Sequence, residues 1–482
     1  MNAPILKLFG LVLVLFAALI GMTSYNSVIH ADAYRANALN ARPQIEQQQV
    51  HRGLIRARDG TVLARSTLGS NDLYKRTYTS AGGTFAHVIG YDFLRLARAG
   101  LERERNDALS GKRTQLTSIF DQLRGKQRVG DNVVTNLDPA AQKLAISQLA
   151  GRKGSIVAIE PATGKVRVMV SVPGYDPNQL DDAATYDKLI HDDKDSPLLN
   201  RATQAGYAPG STFKVVTAAA ALDTGKFTPD SMLDGKSPIT VSGTPLSNFS
   251  NEQYGSITLT TALTNSVNTV WAQVAQQLGH KTMAEYMKRF GFGTDPPLDY
   301  PDDQMRPSGV FDTTKQKWIP PQSDRVDIGR VGIGQERLQV TPLQMAEVAA
   351  TVANGGVRMK PHITNRIVDP DGRTVEQIQP QVAERVMSTT AASQLTEMMS
   401  NVVREGTGVG AALQGIQVAG KTGTAELNIA KSINQPWFIG FAPTDKPRIA
   451  VAVTLENIHG PQSQGGIVAA PIAKAILQEL LK

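Results

Sequence analysis

The stretch Pro209-Gly-Ser-Thr-Phe-Lys-Val-Val-Thr-Ala-Ala-Ala-Ala-Leu222 predicts a helix that carries a serine and a lysine in its first turn. Its alanine-rich second half favours helix, and Gly225 predicts the end. Ser211 lies where free backbone N–H groups and the helix dipole favour negative charge, and Lys214 shares its face of the helix. The lysine could take the proton of the serine hydroxyl if burial or a nearby cation lowered its pKa. Taken alone, the pattern is also typical of a capped helix with a surface lysine.

A second motif, Ser266-Val-Asn268, precedes residues 269–278, whose apolar spacing is that of an amphipathic helix. Ser266 could pass a proton between a lysine and a leaving group. Asn268 could hold a substrate amide or orient Lys214. Because serine and asparagine also cap helices, this motif by itself does not separate chemistry from structure.

A third motif, Lys421-Thr-Gly-Thr424, lies in a predicted strand over residues 416–426. Gly420 and Gly423 remove side chains from that strand, which indicates the close approach of another backbone or a ligand. An edge strand there could pair with an extended peptide. The lysine and the two threonine hydroxyls of the motif could then bind a terminal carboxylate. A glycine-rich hairpin is the structural alternative.

Composition limits the possible functions. The 482 residues, 41% hydrophobic and 19% charged, indicate a globular protein of two or three domains. Cysteine is absent, which excludes disulfides, thiol catalysis and cysteine-ligated metal. The net charge of +7 is mild, and no basic–aromatic pattern predicts a nucleic-acid partner. There is no His-Glu-x-x-His pattern, and Gly406-Thr-Gly-Val-Gly410 lacks the following helix, with an acidic residue about twenty residues on, that a dinucleotide site needs, so no metal or cofactor is predicted.

The N-terminal segment predicts a membrane anchor. After Lys7 the chain is uncharged and mostly apolar as far as Met22. The run from Leu8 to Tyr25, about 18 residues, approaches the minimum length of a membrane-spanning helix. A cleaved signal peptide has a similar pattern, and residues 31–33 could be its cleavage site. Because that site lies rather far from the apolar run, we favour one uncleaved anchor.

Three segments are predicted along the chain: a tail and anchor over 1–30, a small module over 31–152 and a larger domain over 153–482. In the module we expect a strand near 61–64, a helix around 93–108, a strand after Gly130 and a helix from Asp138 to near Gly151.

The larger domain has strand patterns near both of its ends. Runs at 155–159 and 165–170 predict one hairpin, and runs at 437–441 and 449–455 predict antiparallel strands before a helix over 470–481. Strands from both ends with helices between them predict one antiparallel sheet, which is an α+β arrangement.

The three motifs together resemble those of class B penicillin-binding proteins, the monofunctional D,D-transpeptidases of peptidoglycan synthesis. The resemblance covers most of the chain, is closest to the short actinobacterial type, and includes a membrane-proximal pedestal motif at Arg52-Gly-Leu-Ile55 and Arg58-Asp-Gly60. Ala208 and Ala57 stand where the family usually has a proline and an aspartate, the latter a member of an internal ion pair. Further similar segments are Asn200-Arg-Ala202, Tyr207 to Lys214, Val172 to Asn178, Gly334-Gln335, Thr341 to Ala346 and Gly440 to Pro443.

This resemblance implies a penicillin-binding transpeptidase or serine β-lactamase-like fold and a covalent mechanism. Ser211 would attack the penultimate D-Ala carbonyl of a stem pentapeptide with Lys214 as general base. Ser266 and Lys421 would pass the proton to the departing D-Ala. The backbone N–H groups of Ser211 and Thr424 would form the oxyanion hole.

The same resemblance implies the binding partners. Asn268, Thr422, Gly423 and Thr424 would bind the substrate, no cofactor or metal would take part, and β-lactam antibiotics would acylate the nucleophile. The N-terminal helix would hold the chain in the membrane with the catalytic domain outside the cytoplasm. A polytopic SEDS-type glycosyltransferase would be the protein partner.

Other functions on or near this fold differ in identifiable features. A D,D-carboxypeptidase or serine β-lactamase would share the three motifs, but class A β-lactamases have aspartate where Val267 stands and use a deacylating glutamate that no matching motif supplies here. A β-lactam receptor would need further membrane spans or a protease module. A bifunctional synthase would need a glycosyltransferase domain, for which residues 31–151 are too few.

Overall fold

A computed structural model describes residues 3–29, 48–69, 73–93, 96–111, 129–428 and 431–482. Two six-stranded sheets organise these residues. One, the central sheet, belongs to the larger domain, and the other, the pedestal sheet, lies mainly in the N-terminal module.

The central sheet is antiparallel and brings together strands from the two ends of the larger domain, which confirms the predicted arrangement. The two predicted strand pairs are present and join each other between strands Gly154–Ile159 and Ile449–Leu455. One edge of the sheet is the strand that carries the third motif, and a short strand, Ile458–His459, pairs with the start of the neighbouring strand, Ile433–Ala442. The five main strands, in spatial order, are Ala419–Asn428, Ile433–Ala442, Ile449–Leu455, Gly154–Ile159 and Val166–Val172.

Helices cover both faces of this sheet because its strands are apolar on both sides. Helices Pro139–Leu149 and Gly465–Leu481 pack on the face that includes Ile156 and Val451. Helices Lys214–Asp223 and Pro342–Ala353 pack on the face that includes Val157 and Ala452. Among the described residues of the module and the larger domain, the other α-helices are Ser80–Gly83, Ala86–Ile89, Gly100–Glu104, Asn106–Leu109, Ala183–Ile190, Leu259–Thr264, Asn268–Arg289, Ile328–Gly332 and Thr389–Arg404.

Three helix predictions differ from the structure in their bounds. The region predicted as one helix over 93–108 contains a strand pair, Asp92–Phe93 with Ala97–Arg98, before two short helices. The helix predicted over 269–278 is present from Asn268, and after a kink at Gly279, whose φ is +78°, a second helical segment continues to Arg289. The last helix begins at Gly465, five residues before the predicted start, because glycine residues there reduce the sequence signal.

The pedestal sheet takes two of its strands from the larger domain. Strand Asn132–Thr135 pairs on one side with Ile55–Arg56 of the module and on the other with Thr364–Val368. The hairpin partner of the latter, Thr374–Gln377, forms the sheet edge. The remaining pedestal strands are Val62–Leu68 and Tyr74–Tyr78. The module and the larger domain therefore share a sheet as well as a hydrophobic core.

A buried ionic cluster stabilises the pedestal. Glu102 is fully buried, and its two carboxylate oxygens accept hydrogen bonds from Arg52 at 2.7 Å and Arg76 at 2.6 Å. Arg52 also pairs with Asp92 at 2.9 Å. Ala57, where the family's aspartate would be, is fully buried among apolar residues.

The N-terminal helix, Ala3–Ser24, contains no buried residue. In the described part of the chain, one helix is long and apolar enough to cross a membrane, and it spans Ala3 to Val28 with a mean hydropathy of 2.6. Short strands complete the larger domain: Met232–Asp234, Ile239–Val241, Thr244–Leu246, Ser256–Thr258, Gly309–Asp312, Lys317–Ile319, Leu338–Gln339, Val357–Met359 and Val382–Arg385.

Candidate active site

The first motif forms a tight turn that leads into a helix. Residues Gly210–Phe213 are a 3₁₀ turn, and the α-helix runs from Lys214 to Asp223. In a 3₁₀ turn the side chains three residues apart lie above each other, so Ser211 and Lys214 share a face. Ser211 is half-buried, whereas Lys214 is fully buried.

The turn Gly210–Phe213, called the nucleophile turn below, lies directly against the strand of the third motif. A β-carbon on Gly423 would be 2.7 Å from the carbonyl oxygen of Pro209 and 2.9 Å from a methyl of Thr212. On the next strand, the indole Nε1 of Trp437 donates a hydrogen bond to the carbonyl oxygen of Ala208 at 3.0 Å. The absence of a side chain at Gly423 is therefore required by the close approach that the sequence predicted.

The second motif connects two helices, Leu259–Thr264 and Asn268–Arg289, through a left-handed residue. Ser266 has a φ of +59°, a conformation that costs an L-residue roughly 1–2 kcal/mol. This conformation directs both oxygens of Ser266 to one amine. The Nζ atom of Lys214 donates to the carbonyl oxygen of Ser266 at 2.7 Å and lies 3.2 Å from its hydroxyl.

Asn268 completes the surroundings of the Lys214 amine. Its Oδ1 accepts a hydrogen bond from Lys214 Nζ at 2.7 Å, and its Nδ2 donates to the carbonyl oxygen of Ser247 at 3.1 Å. The second bond fixes which end of the amide faces the lysine. Of the two expectations for Asn268, the geometry favours the orientation of Lys214.

Lys421 approaches the same serine from the strand. Its Nζ donates to the Ser266 hydroxyl at 2.8 Å and to the carbonyl oxygen of Thr422 at 3.0 Å. Lys421 is also fully buried. The hydroxyl of Ser266 thus lies between two buried lysine amines, and three separate parts of the sequence meet at one atom.

Burial lowers the basicity of both amines. The pKa of Lys214 lies well below the ordinary lysine value because of its burial and, secondly, because of the positive charge of Lys421. Burial alone lowers the pKa of Lys421 to about 7. A lysine that is neutral near physiological pH can accept a proton, which an ordinary lysine cannot.

The threonines of the third motif have protein partners. The Thr422 hydroxyl is 2.7 Å from the hydroxyl of Thr407, and the Thr424 hydroxyl accepts a hydrogen bond at 3.1 Å from the backbone N–H of Gly465, where the last helix begins. Thr407 lies in the glycine-rich loop that the sequence predicted only as a loop. Its N–H donates to the carbonyl oxygen of Thr264, so this loop connects the second and third motifs.

Comparisons with known proteins show the family of this chain. The penicillin binding protein transpeptidase domain matches residues 154–478, and the penicillin binding protein A dimerisation domain matches residues 52–133. Peptidoglycan D,D-transpeptidase PbpA of Mycolicibacterium smegmatis is 34% identical over all of this chain and 99% of its own length. The PbpA of Mycobacterium tuberculosis H37Rv is 32% identical with the same coverage.

Solved structures of similar proteins belong to the same family. A ceftriaxone acyl-enzyme complex of penicillin-binding protein A from M. tuberculosis matches with a TM-score of 0.82 and 32% identity, covering 91% of this chain and all of that one. The fold is that of the penicillin-binding transpeptidases. The chain belongs to the penicillin-binding protein family, and within it to the proteins that join a transpeptidase domain to a dimerisation domain.

Proposed function

We propose that this chain is a peptidoglycan D,D-transpeptidase that works through a serine acyl-enzyme. The observation that carries the proposal is the Ser266 hydroxyl between the amines of Lys214 and Lys421, next to Ser211 at a sheet edge. The names of the full-length relatives and the acyl-enzyme structures of similar proteins support it. Three motifs that are individually ambiguous become one site with the groups that acyl transfer needs.

The hydrogen bonds of Lys214 indicate how it would act as a base. A neutral amine has two N–H groups and one lone pair. Both N–H groups are occupied by acceptors that cannot donate in return, the carbonyl oxygens of Ser266 and Asn268, each at 2.7 Å. The lone pair is therefore left for a hydroxyl proton, that of Ser211 or of Ser266. Lys214 makes no hydrogen bond to Ser211 within the described residues, and catalytic contacts of this kind often tighten only when substrate binds.

In the proposed reaction Ser211 attacks the penultimate D-Ala carbonyl of a stem pentapeptide and Lys214 takes its proton. The backbone N–H groups of Ser211 and Thr424 stabilise the tetrahedral oxyanion. Collapse breaks the peptide bond, and the proton travels from Lys421 and Ser266 to the departing amine of D-Ala. An amine of a neighbouring stem peptide then attacks the ester and gives a proton through Ser266 to Lys421. As the ester bond breaks, Lys214 returns its proton to Ser211, which completes the cross-link and restores the site.

The donor peptide would add a strand to the central sheet beside the strand that carries the third motif. Strand Ala419–Asn428 is an edge strand of the central sheet, and within the described residues no other strand pairs with its outer side, where an extended peptide could pair. Gly423 keeps the approach open, Thr422 and Thr424 carry hydroxyls for the terminal carboxylate, and Asn268 lies at the facing wall. β-Lactams would enter the same place and acylate Ser211.

The wider setting of the enzyme also belongs to this proposal. The helix Ala3–Ser24 would anchor the protein, with residues 31–152 as pedestal and 153–482 as a catalytic domain on the outer side of the membrane. A SEDS-type glycosyltransferase is the proposed partner. Co-purification from membranes after mild cross-linking tests this, with a variant that lacks residues 3–24 as the control.

Covalent labelling tests the catalytic proposal. A fluorescent penicillin should label the wild type at Ser211, as shown by mass spectrometry of the acylated peptide. Ser211→Ala should abolish labelling while leaving the melting temperature close to that of the wild type. With a stem-peptide donor and an amine acceptor, the wild type should form cross-linked product. Label on the alanine variant would refute the nucleophile, and rapid release of hydrolysed penicillin would favour a hydrolase.

A further inference from the structure

Gly334, which lies outside the three motifs, is in contact with the back of the nucleophile turn. The N–H of Gly210 donates a hydrogen bond to the carbonyl oxygen of Gly334 at 3.0 Å. A β-carbon on Gly334 would be 1.8 Å from the carbonyl oxygen of Gly210 and 2.6 Å from its carbonyl carbon. Gly334 also has a φ of +78°, which an L-residue rarely adopts.

The peptide that Gly334 contacts is the one whose other end is a proposed oxyanion donor. The carbonyl of Gly210 and the N–H of Ser211 belong to a single planar trans peptide, in which C=O and N–H point in opposite directions. Contact on the carbonyl oxygen from behind therefore fixes the direction of the Ser211 N–H in front. Because the unit is rigid, tilting one end tilts the other.

The front of the same turn is bounded by the strand that carries the second donor. A β-carbon on Gly210 would be 3.0 Å from the carbonyl carbon of Thr424 and 3.1 Å from the backbone nitrogen of Ala425. The backbones of Gly334, Gly210 and Thr424 thus pack against one another in that order. Their spacing sets the distance between the N–H groups of Ser211 and Thr424.

The segment that carries Gly334 is itself held by two helices of the site. The Thr217 hydroxyl, on the Lys214–Asp223 helix, donates to the carbonyl oxygen of Gly332 at 2.7 Å. A β-carbon on Gly332 would be 2.2 Å from that of Ala275, on the helix that begins with Asn268. Thr217 is fully buried, so its hydrogen bond to Gly332 is shielded from solvent.

We propose that Gly334 is a positioning residue for the oxyanion hole, which it aligns by supporting the Gly210–Ser211 peptide from behind. The inference rests on the proposed acyl-enzyme function and extends it. Complete removal of one oxyanion donor lowers kcat by about 10²–10³ in other acyl enzymes. Misalignment by an added methyl should therefore lower the acylation rate constant by about 10- to 100-fold.

The test compares Gly334→Ala with Gly415→Ala. Gly415 also has a left-handed φ, +73°, but a β-carbon there meets nothing within 4 Å, so this variant controls for backbone strain without contact. Stopped-flow labelling with a fluorescent penicillin separates the acylation rate constant from the preceding binding constant. Gly334→Ala should lower the rate constant, with binding changed less than about threefold and with an unchanged pH midpoint. Gly415→Ala should behave as the wild type.

A thiono substrate distinguishes misaligned donors from general loosening. Sulfur accepts hydrogen bonds poorly, so replacing the reacting carbonyl oxygen of an ester donor should slow the wild type more than the Gly334→Ala enzyme. Equal slowing in both, or wild-type acylation by Gly334→Ala, would overturn the inference.

If Gly334→Ala does not fold, the Thr217→Val variant tests the inference instead. It keeps the shape of the side chain and removes only the hydrogen bond to Gly332. A threefold to tenfold lower acylation rate constant with unchanged binding would support the role of this segment, and a wild-type rate constant would refute it. These results are independent of the transpeptidase assignment, because a hydrolase that acylates Ser211 would need the same oxyanion hole.

Discussion

Replacement of Ser266 by alanine and by glycine separates its chemical from its conformational contribution. Both changes remove the hydroxyl that lies 2.8 Å from Lys421 and 3.2 Å from Lys214, while the carbonyl bond to Lys214 at 2.7 Å depends only on the backbone. Lys214 therefore stays in place but loses its connection to Lys421. Proton transfer by a positioned group contributes about 10²–10⁴-fold, so both variants should acylate about 10²–10⁴ times more slowly than the wild type.

Stability should distinguish the two variants. Alanine keeps the cost of the left-handed φ of +59°, whereas glycine relieves about 1–2 kcal/mol of it. Greater freedom of glycine in the unfolded chain offsets about 0.5–1 kcal/mol. The glycine variant should therefore be more stable than the alanine variant by about 0.5–1 kcal/mol, measured by urea unfolding. Acylation is followed with a fluorescent penicillin. A rate within threefold of the wild type in either variant would refute the relay, and a more stable alanine variant would refute the strain.

Two further predictions concern charges. Lys421→Met removes the positive charge that helps to lower the pKa of Lys214, so that pKa should rise and the acid limb of the acylation pH profile should move to higher pH; an unmoved or lowered midpoint contradicts this. Burial would raise the pKa of Glu102, but Arg76 and Arg52 outweigh it and the pKa is lowered, so its contribution to stability is present at neutral pH and is lost in acid. Glu102→Gln should cost about 3–5 kcal/mol at pH 7 in urea unfolding and less at low pH, and a change below about 1 kcal/mol would show that the cluster is dispensable.

The parts of the fold that the sequence predicted are those with a local signal. The strands at 154–159 and 166–172 are runs rich in β-branched residues on either side of a turn-forming segment, and the alanine-rich run after Lys214 favours helix on its own. The pairing of Thr364–Val368 with Asn132–Thr135 has no such signal, since more than two hundred residues separate the strands. Its consequence, a sheet shared by the pedestal and the larger domain, appears only when the chain is folded.

The candidate site was predictable in its residues but not in its connections. The three motifs and their family resemblance proposed Ser211, Lys214, Ser266 and Lys421, which the structure brings close together. Nothing in the sequence indicates that Ser266 is left-handed, because glycine is the residue that normally signals that conformation. Thr407 was missed for a similar reason. A threonine between glycines predicts a loop, and its contact with Thr422 arises only from the packing of that loop on the strand.

Burial of the Lys214 and Lys421 amines affects both the chemistry of the site and the stability of the fold. A lysine whose pKa is lowered by burial disfavours folding wherever the unfolded chain would hold the proton; for Lys421 this cost is full below about pH 7 and disappears toward the ordinary value of 10.5. The same burial makes the amines able to accept a proton. Apolar burial in the rest of the fold offsets this cost, and Val215, Val216 and Ala218–Ala221 on the helix Lys214–Asp223 are all fully buried. The apolar run that predicted the helix is thus also part of the burial that lowers the pKa of the lysine in its first turn.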